Sequence, residues 1–264
     1  MKNHMKKILV IGETCVDKFI YCNVNRLSPE APVPVLIPIR TTSNPGMAGN
    51  TSANVTVLSP KSVILGLNQE EDITKIRYVE EKSNHMFFRV DEGETNTLPF
   101  RWTAEVDVML GEADITIVSD YNKGFLSNAD LKEIAYKSKL SILDSKRRLT
   151  NDVIEGFSFV KLNELERINN PELINDNIIT TLGSRGAEYK NTIYPSPEPQ
   201  ETIDVSGAGD TFTASFIIKF SQTKDETLAI KFANQMSAEV VSKRGVSTPS
   251  TDRVRWWSKY NQNG

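Results

Sequence analysis

Short apolar runs bounded by Gly, Asn or Asp punctuate the chain at residues 8–11, 63–65, 115–118, 141–143, 159–160 and 178–180. Their length and β-branched content predict strands buried on both faces. Between or after several of them, apolar residues recur at helical spacing over 48–58, 128–138, 210–220 and 226–242. This alternation predicts a mostly parallel sheet covered by helices, an open α/β sandwich. Two stretches follow a different rule. Residues 17–40 and 73–91 alternate apolar with polar positions, as in Lys18-Phe19-Ile20-Tyr21 and Phe87-Phe88-Arg89-Val90-Asp91, and so predict a half-exposed sheet. Inserted after the first core strands, it would form a flap over the carboxyl ends of the parallel strands, where open α/β sheets place ligands. A two-sided, partly apolar sheet with open edges also predicts pairing with a second copy of the chain.

Composition narrows the class. With 39% hydrophobic and 25% charged residues, the 264-residue chain is ordinary folded material, which excludes disordered, fibrous and repeat architectures. We expect one domain over 1–264, with lid segments at about 17–40 and 73–91. The net charge of −3 provides no basic field, so nucleic acid is excluded as a partner and an anionic ligand has to be held by local groups. No apolar run approaches the ~20 residues of a membrane span, and residues 1–7 lead straight into a strand, so a cytoplasmic protein with no membrane partner is expected. Two cysteines and two histidines, scattered, make neither a zinc site nor a disulfide framework.

The strongest local signal is Asp204-Val205-Ser206-Gly207-Ala208-Gly209-Asp210-Thr211-Phe212, a glycine-punctuated loop that opens a helix. Small residues let backbone N–H groups face an oxyanion, and the helix dipole adds positive potential. Phosphoryl transfer needs positioning, charge stabilisation and a carboxylate beside the acceptor hydroxyl, and Asp210 is the candidate base. Gly207, Ala208 and Gly209 are the candidate anion hole. Neither a P-loop nor a Gly-x-Gly-x-x-Gly fingerprint occurs, so a nucleotide has to be held another way.

These nine residues resemble the C-terminal signature of the PfkB, or ribokinase-like, carbohydrate kinases. Three further segments, Arg26 to Val35, Ser119-Asp120-Tyr121-Asn122-Lys123-Gly124 and Ile73-Thr74-Lys75-Ile76-Arg77, resemble the D-glycero-D-manno-heptose-7-phosphate kinase branch of that family, which acts in lipopolysaccharide heptose synthesis. The resemblance implies a three-layer α/β/α sandwich with a small β-sheet lid; the open-edged lid is the surface through which the expected homodimer would be joined. It also implies ATP and Mg²⁺ as cofactors, with room for a monovalent cation. Residue by residue, Asp17 would hold sugar hydroxyls, with Gly46 and Asn50 lining the sugar pocket. Asn163 and the Thr181-Leu182-Gly183-Ser184-Arg185-Gly186 turn would lie on the nucleotide side, with Thr181, Gly183 and Gly186 as its contacts. Glu166 would act on Mg²⁺ through water, and Asn234 and Gly245 would flank the adenine.

The family has two glycines before the alanine where this chain has Gly46-Met47-Ala48, and only seven residues, 66–72, separate Leu65 from Ile73 where relatives carry a helix and a strand. One βα unit is therefore expected to be missing. The nucleotidyltransferase half of bifunctional relatives has no counterpart in these residues. Lys75, Arg77, Arg89, Lys123, Lys146, Arg147 and Arg148 are all candidates for a substrate phosphate, with Lys123 and Arg89 preferred and most of 146–148 read as surface charge. The expected reaction is phosphorylation of the anomeric hydroxyl of a heptose 7-phosphate by ATP. Another sugar, sugar phosphate or nucleoside as acceptor, or a trimmed non-catalytic sugar- or nucleotide-binding protein, remain open alternatives.

Overall fold

The computed structural model describes residues 5–197, 205–243 and 245–260, the side chains of 258–260 excepted. Its chain order is β1 (Lys7–Gly12), β2 (Thr14–Leu27), β3 (Pro34–Met47), α1 (Ala48–Leu58), β4 (Val63–Leu67), β5 (Thr74–Glu80), β6 (Met86–Glu92) and α2 (Ala104–Glu112). There follow β7 (Ile115–Asp120), α3 (Asn128–Lys137), β8 (Ser141–Ser145), α4 (Asn151–Ile154), β9 (Phe159–Asn163), α5 (Glu164–Ile168) and β10 (Ile178–Thr181). The chain ends with β11 (Ala187–Tyr189), β12 (Thr192–Tyr194), α6 (Ala208–Thr223), α7 (Glu226–Val240) and α8 (Thr251–Tyr260).

Eight strands form the main sheet in the order β12-β11-β10-β9-β8-β7-β1-β4, parallel from β10 to β4 and antiparallel through β11 and β12. Because strand side chains alternate, each core strand feeds both faces. Ile8, Val10, Ile117, Ile142 and Phe159 pack with α1, α6, α7 and Trp257 of α8. Leu9, Ile11, Val118, Leu143 and Val160 pack with α2, α3 and α4. Burying one such side chain contributes about 1.5–3 kcal/mol, and this is what drives helices onto both sides of the sheet. The result is the three-layer α/β/α sandwich expected from the alternation of elements.

The second sheet, in the order β3-β2-β5-β6, is the lid. Its first pair of strands is longer than the pattern predicts, because β2 and β3 run on into the core at Thr14 and Met47. One face carries Asp17, Phe19, Lys75, Arg77 and Arg89. The other leaves Val16, Phe88 and Val90 exposed. The segment from Arg26 to Val35 is the exposed far end of this sheet, turned back by a Ser28 to Val33 backbone hydrogen bond of 2.8 Å.

Only residues 68–73 join β4 to β5, and β4 is the edge of the main sheet, as the missing βα unit implies. Gln69 stabilises this short connection. Its buried side chain accepts from the Thr14 N–H at 2.9 Å and donates to the Thr14 carbonyl at 2.7 Å, satisfying backbone groups that would otherwise lack a partner.

Candidate functional site

Helix α6 follows Gly207, which as its N-cap is in the left-handed region at φ 81° and has no side chain to cap it. Its first N–H groups therefore lack the usual partner and, with the helix dipole, are arranged for an anion. Gly209 leaves room for a close neighbour, since a Cβ there would lie 3.0 Å from the ammonium of Lys161. Asp204, the first residue of the motif, lies outside the described residues.

Asp210 sits in the first turn of α6, only 5% exposed. Its Oδ2 accepts from Asn50 Nδ2 at 2.8 Å and its Oδ1 from the Tyr121 hydroxyl at 2.9 Å. Burial first, and the neighbouring Asp144 second, push its carboxyl up to about 6, against the opposing hydrogen bonds of Asn50 and Tyr121 and the charge of Lys161. A carboxyl poised there can hold a proton that a hydroxyl gives up and release it near neutral pH.

Behind the loop lies a buried set of charges that the motif search does not reach. Asp144 and Lys161 are register partners on β8 and β9, joined at 3.0 Å, and Thr213 of α6 donates to the same Asp144 oxygen at 3.0 Å. Lys146 lies 3.4 Å from Asp144 and 2.6 Å from Glu166. Burial alone would raise the Asp144 carboxyl, but Lys146 and then Lys161 hold it well below the usual carboxylate range. For Lys146 the burial penalty is likewise outweighed, by Asp144 and Glu166, and its ammonium is held above its ordinary value.

A cavity of about 810 Å³ opens onto these groups. Tyr121, Asp144, Lys146, Lys161 and the loop 207–210 form its inner end, and Asn163, Thr181, Gly183, Gly186 and Asn234 line its walls. Asn234 also donates to the Tyr194 carbonyl at 2.8 Å. Gly245 is not among the lining residues; a Cβ there would come within 3.6 Å of Asn44 and 3.7 Å of Phe19 of the lid. Asn163 and Glu166 form a reciprocal capping box at the start of α5, and Glu166 also accepts from Lys146. Lys146 thus fills the space between the two nearest carboxylates, and among the described residues no cluster of three or more His, Cys, Asp or Glu could hold a metal ion. These side chains do not fit direct ligation of Mg²⁺.

A second group of the expected site residues lies at the lid. Asp17 is buried at the base of the lid and ion-paired with Arg77. The Gly46 backbone passes so close that a Cβ would fall 2.1 Å from Asp17 Oδ2, so any side chain there would displace the acid. Met47 adopts φ 57°, a glycine-type conformation that costs a side chain of this kind about 1–3 kcal/mol, and packs with Cys15, Ile73 and Tyr121. Lys123 meets Glu94 at 2.5 Å, and Lys75 meets the same carboxylate at 3.4 Å. Arg89 is on the lid surface, paired with Asp91 of its own strand at 2.7 Å and 46% exposed.

One expectation is corrected. Of the run 146–148 only Arg148, at 77% exposure, is surface charge. Lys146 lines the cavity, and Arg147 makes two bonds of 2.5 and 2.8 Å to the fully buried Asp120 and one of 2.7 Å to the Leu126 carbonyl. Buried carboxylates need such partners, and the segment following β8 supplies one.

Comparison with known proteins follows the same lines. Residues 162–253 match the pfkB family carbohydrate kinase. Curated relatives include the "Bifunctional protein HldE" of Bradyrhizobium diazoefficiens, 25% identical over 95% of this chain, and that of Caulobacter vibrioides, 27% identical over 91%. The chain spans 62% and 61% of the length of these two relatives. The first alignment runs over 307 positions, more than the chain's own 264, so that relative carries residues with no counterpart here. Among solved structures, ribokinase from Thermotoga maritima superposes with a TM-score of 0.75 at 18% identity over 97% of this chain and 100% of that one. Arabidopsis thaliana ribokinase, complexed with ribose and ATP, gives 0.74 at 14% identity over 97% and 99%. The match to the pfkB family carbohydrate kinase thus lies in the C-terminal part of the chain, and the ribokinase structures share its fold over nearly the whole length.

Proposed function

We propose that the protein transfers the γ-phosphoryl group of ATP to a sugar hydroxyl, with Asp210 as the base that takes the hydroxyl proton. The observation that carries this reading is the placement of Asp210 in the first turn of α6, at the inner end of the large cavity that Lys161 also lines. The nucleotide would lie along the walls at Asn163, Thr181 and Asn234. Its transferring phosphoryl group would meet the amides of 207–210 and the ammonium groups of Lys146 and Lys161, which supply the fixed positive charge phosphoryl transfer requires. Mg²⁺ would arrive on the phosphates with its own waters, which it retains readily. The experiment is release of ADP in the presence of ATP and each of a panel of sugars and sugar phosphates. No sugar-dependent ADP above background would reject the kinase reading in favour of a binding protein.

The acceptor we infer is a heptose 7-phosphate, phosphorylated at its anomeric hydroxyl. This rests on the resemblance to the heptose-phosphate kinase branch and on the cations gathered near the base of the lid. Lys75 and Lys123 share Glu94, so a substrate phosphate can compete for both. A charge-assisted bond contributes about 1.5–3 kcal/mol, so Lys123→Glu should raise KM for the phosphorylated sugar by roughly tenfold or more while KM for ATP stays put. Equal turnover of heptose and its 7-phosphate by the unmodified protein would remove the phosphate from the assignment.

We also propose that the protein is a cytoplasmic homodimer joined through the lid, supported by the exposed Val16, Phe88 and Val90 on one lid face. Sedimentation at micromolar concentration should give twice the chain mass, and Phe88→Glu should halve it. A monomer in the unmodified protein would rule this out. Among the described residues no helix is long and apolar enough to cross a membrane.

A further inference from the structure

The carboxylate of Asp210 has two partners of unequal kind. Asn50, on Oδ2, is fixed, since Asn54 donates both to its carbonyl group at 2.9 Å and to its side-chain oxygen at 3.2 Å, and Thr211 donates to Asn54 at 2.9 Å. Tyr121, on Oδ1, is a hydroxyl, the same chemical group as the acceptor that a kinase base has to receive. Its ring lines the cavity and rests on Met47, Cys15 and Ile73, with Lys75 and Lys146 at 5.5 and 5.6 Å from its centroid. Its backbone, by contrast, is pinned. The fully buried Glu13 accepts from the N–H groups of Tyr121 at 2.9 Å and Lys123 at 2.8 Å. The loop is therefore fixed at its root while the phenol stays on the base through this one hydrogen bond.

We propose that Tyr121 is a positioning residue for Asp210: its phenol holds the exchangeable oxygen of the carboxylate in the resting protein and yields that place to the acceptor hydroxyl. The role rests on Asp210 being the base, but the contact itself is a property of the folded chain. Exchange of one hydroxyl for another keeps a donor on Asp210 Oδ1, so the acceptor gains the base without leaving that buried carboxylate oxygen unpaired. The groups facing Asp210 are Asp144 from β8, Lys146 from the segment after it, Lys161 from β9, Asn50 from α1 and Cys15 from β2, and of these only Asn50 shares with Tyr121 the role of donor to its carboxylate.

The test is Tyr121→Phe, which keeps the ring and deletes the donor. Titration of ¹³C-labelled aspartate carboxyl groups by NMR reads Asp210 directly, its signal being the one lost in Asp210→Asn. The variant should move its midpoint upward by about half a pH unit or more, because the charged form loses a donor. The KM for the acceptor should fall in the variant, since no phenol competes with it. An unmoved midpoint overturns the contact whatever the enzyme's substrate, and a moved midpoint with a raised or unchanged acceptor KM overturns the exchange. If no sugar is turned over but the midpoint moves, the contact stands and the kinase reading falls.

Discussion

Asp210→Asn is expected to leave the fold and nucleotide binding intact and to lower kcat by about 10²–10⁴, the usual contribution of a general base. The amide matches the carboxylate in shape and can still accept from Asn50 or Tyr121, but it cannot take a proton. The pH profile of the unmodified protein carries the same information. With its carboxyl raised to about 6, Asp210 is protonated below that pH, so kcat/KM should fall as pH drops through 6. The sign for stability is opposite to that for activity. Because the folded-state value lies above the ordinary one of 3.8, the contribution of this group to stability is complete below about 3.8 and is lost as pH rises through about 6. Asp210→Asn should therefore unfold at a higher temperature than the unmodified protein at pH 7.5, the reverse of what a merely structural carboxylate would show. Near-normal turnover in this variant would remove Asp210 from the chemistry.

Lys161→Met is expected to be the most destabilising single change at the site. Lys161 and Asp144 expose 2% and 5% of their side chains, and Thr213 and Lys146 share the same acid. Removing one member of a buried pair leaves the other charge uncompensated, a cost of about 3–5 kcal/mol. Urea unfolding reads this loss directly. Lys161→Met combined with Asp144→Leu should recover much of the stability, since an apolar pair of similar volume is tolerated where a lone charge is not. It should not recover turnover, because the fixed positive charge behind Gly209 is gone. A double variant that regains both would make the pair structural only, and a single variant with unchanged unfolding would contradict its burial.

Lys161 also marks where the sequence stops being informative. The core strands and the helices α1, α3, α6 and α7 are legible because their apolar residues repeat with the period of the element that holds them. The Asp210 loop is legible because glycines and an acid sit together within one segment. Lys161 and Asp144 belong to different strands, and only the parallel register of β8 and β9 makes them neighbours. A signal does exist: each lies two residues beyond a core residue, Phe159 or Ile142, and so on the face covered by α6. Helix α2 escapes notice because it buries only Val106 and Leu110 and contains Gly111, leaving little helical stripe. The lid is visible as alternation, but its ends are not, since β2 and β3 leave the lid without any change in period.

The short connection closed by Gln69 has a mechanical consequence. The chain passes between the main sheet and the lid at β1–β2, β3–α1, β4–β5 and β6–α2. Gln69 binds both backbone groups of Thr14, which couples the first of these crossings to the third, and the Ala48 N–H donates to the Glu13 carbonyl at 2.9 Å, which couples the second to the first. Crossings fastened to one another cannot bend independently. Three of the four crossings are thus fastened together beside Thr14, so an opening or closing of the lid is expected to carry Asp17, Lys75 and Arg77 as one block, with the fourth crossing, β6–α2, taking up the change.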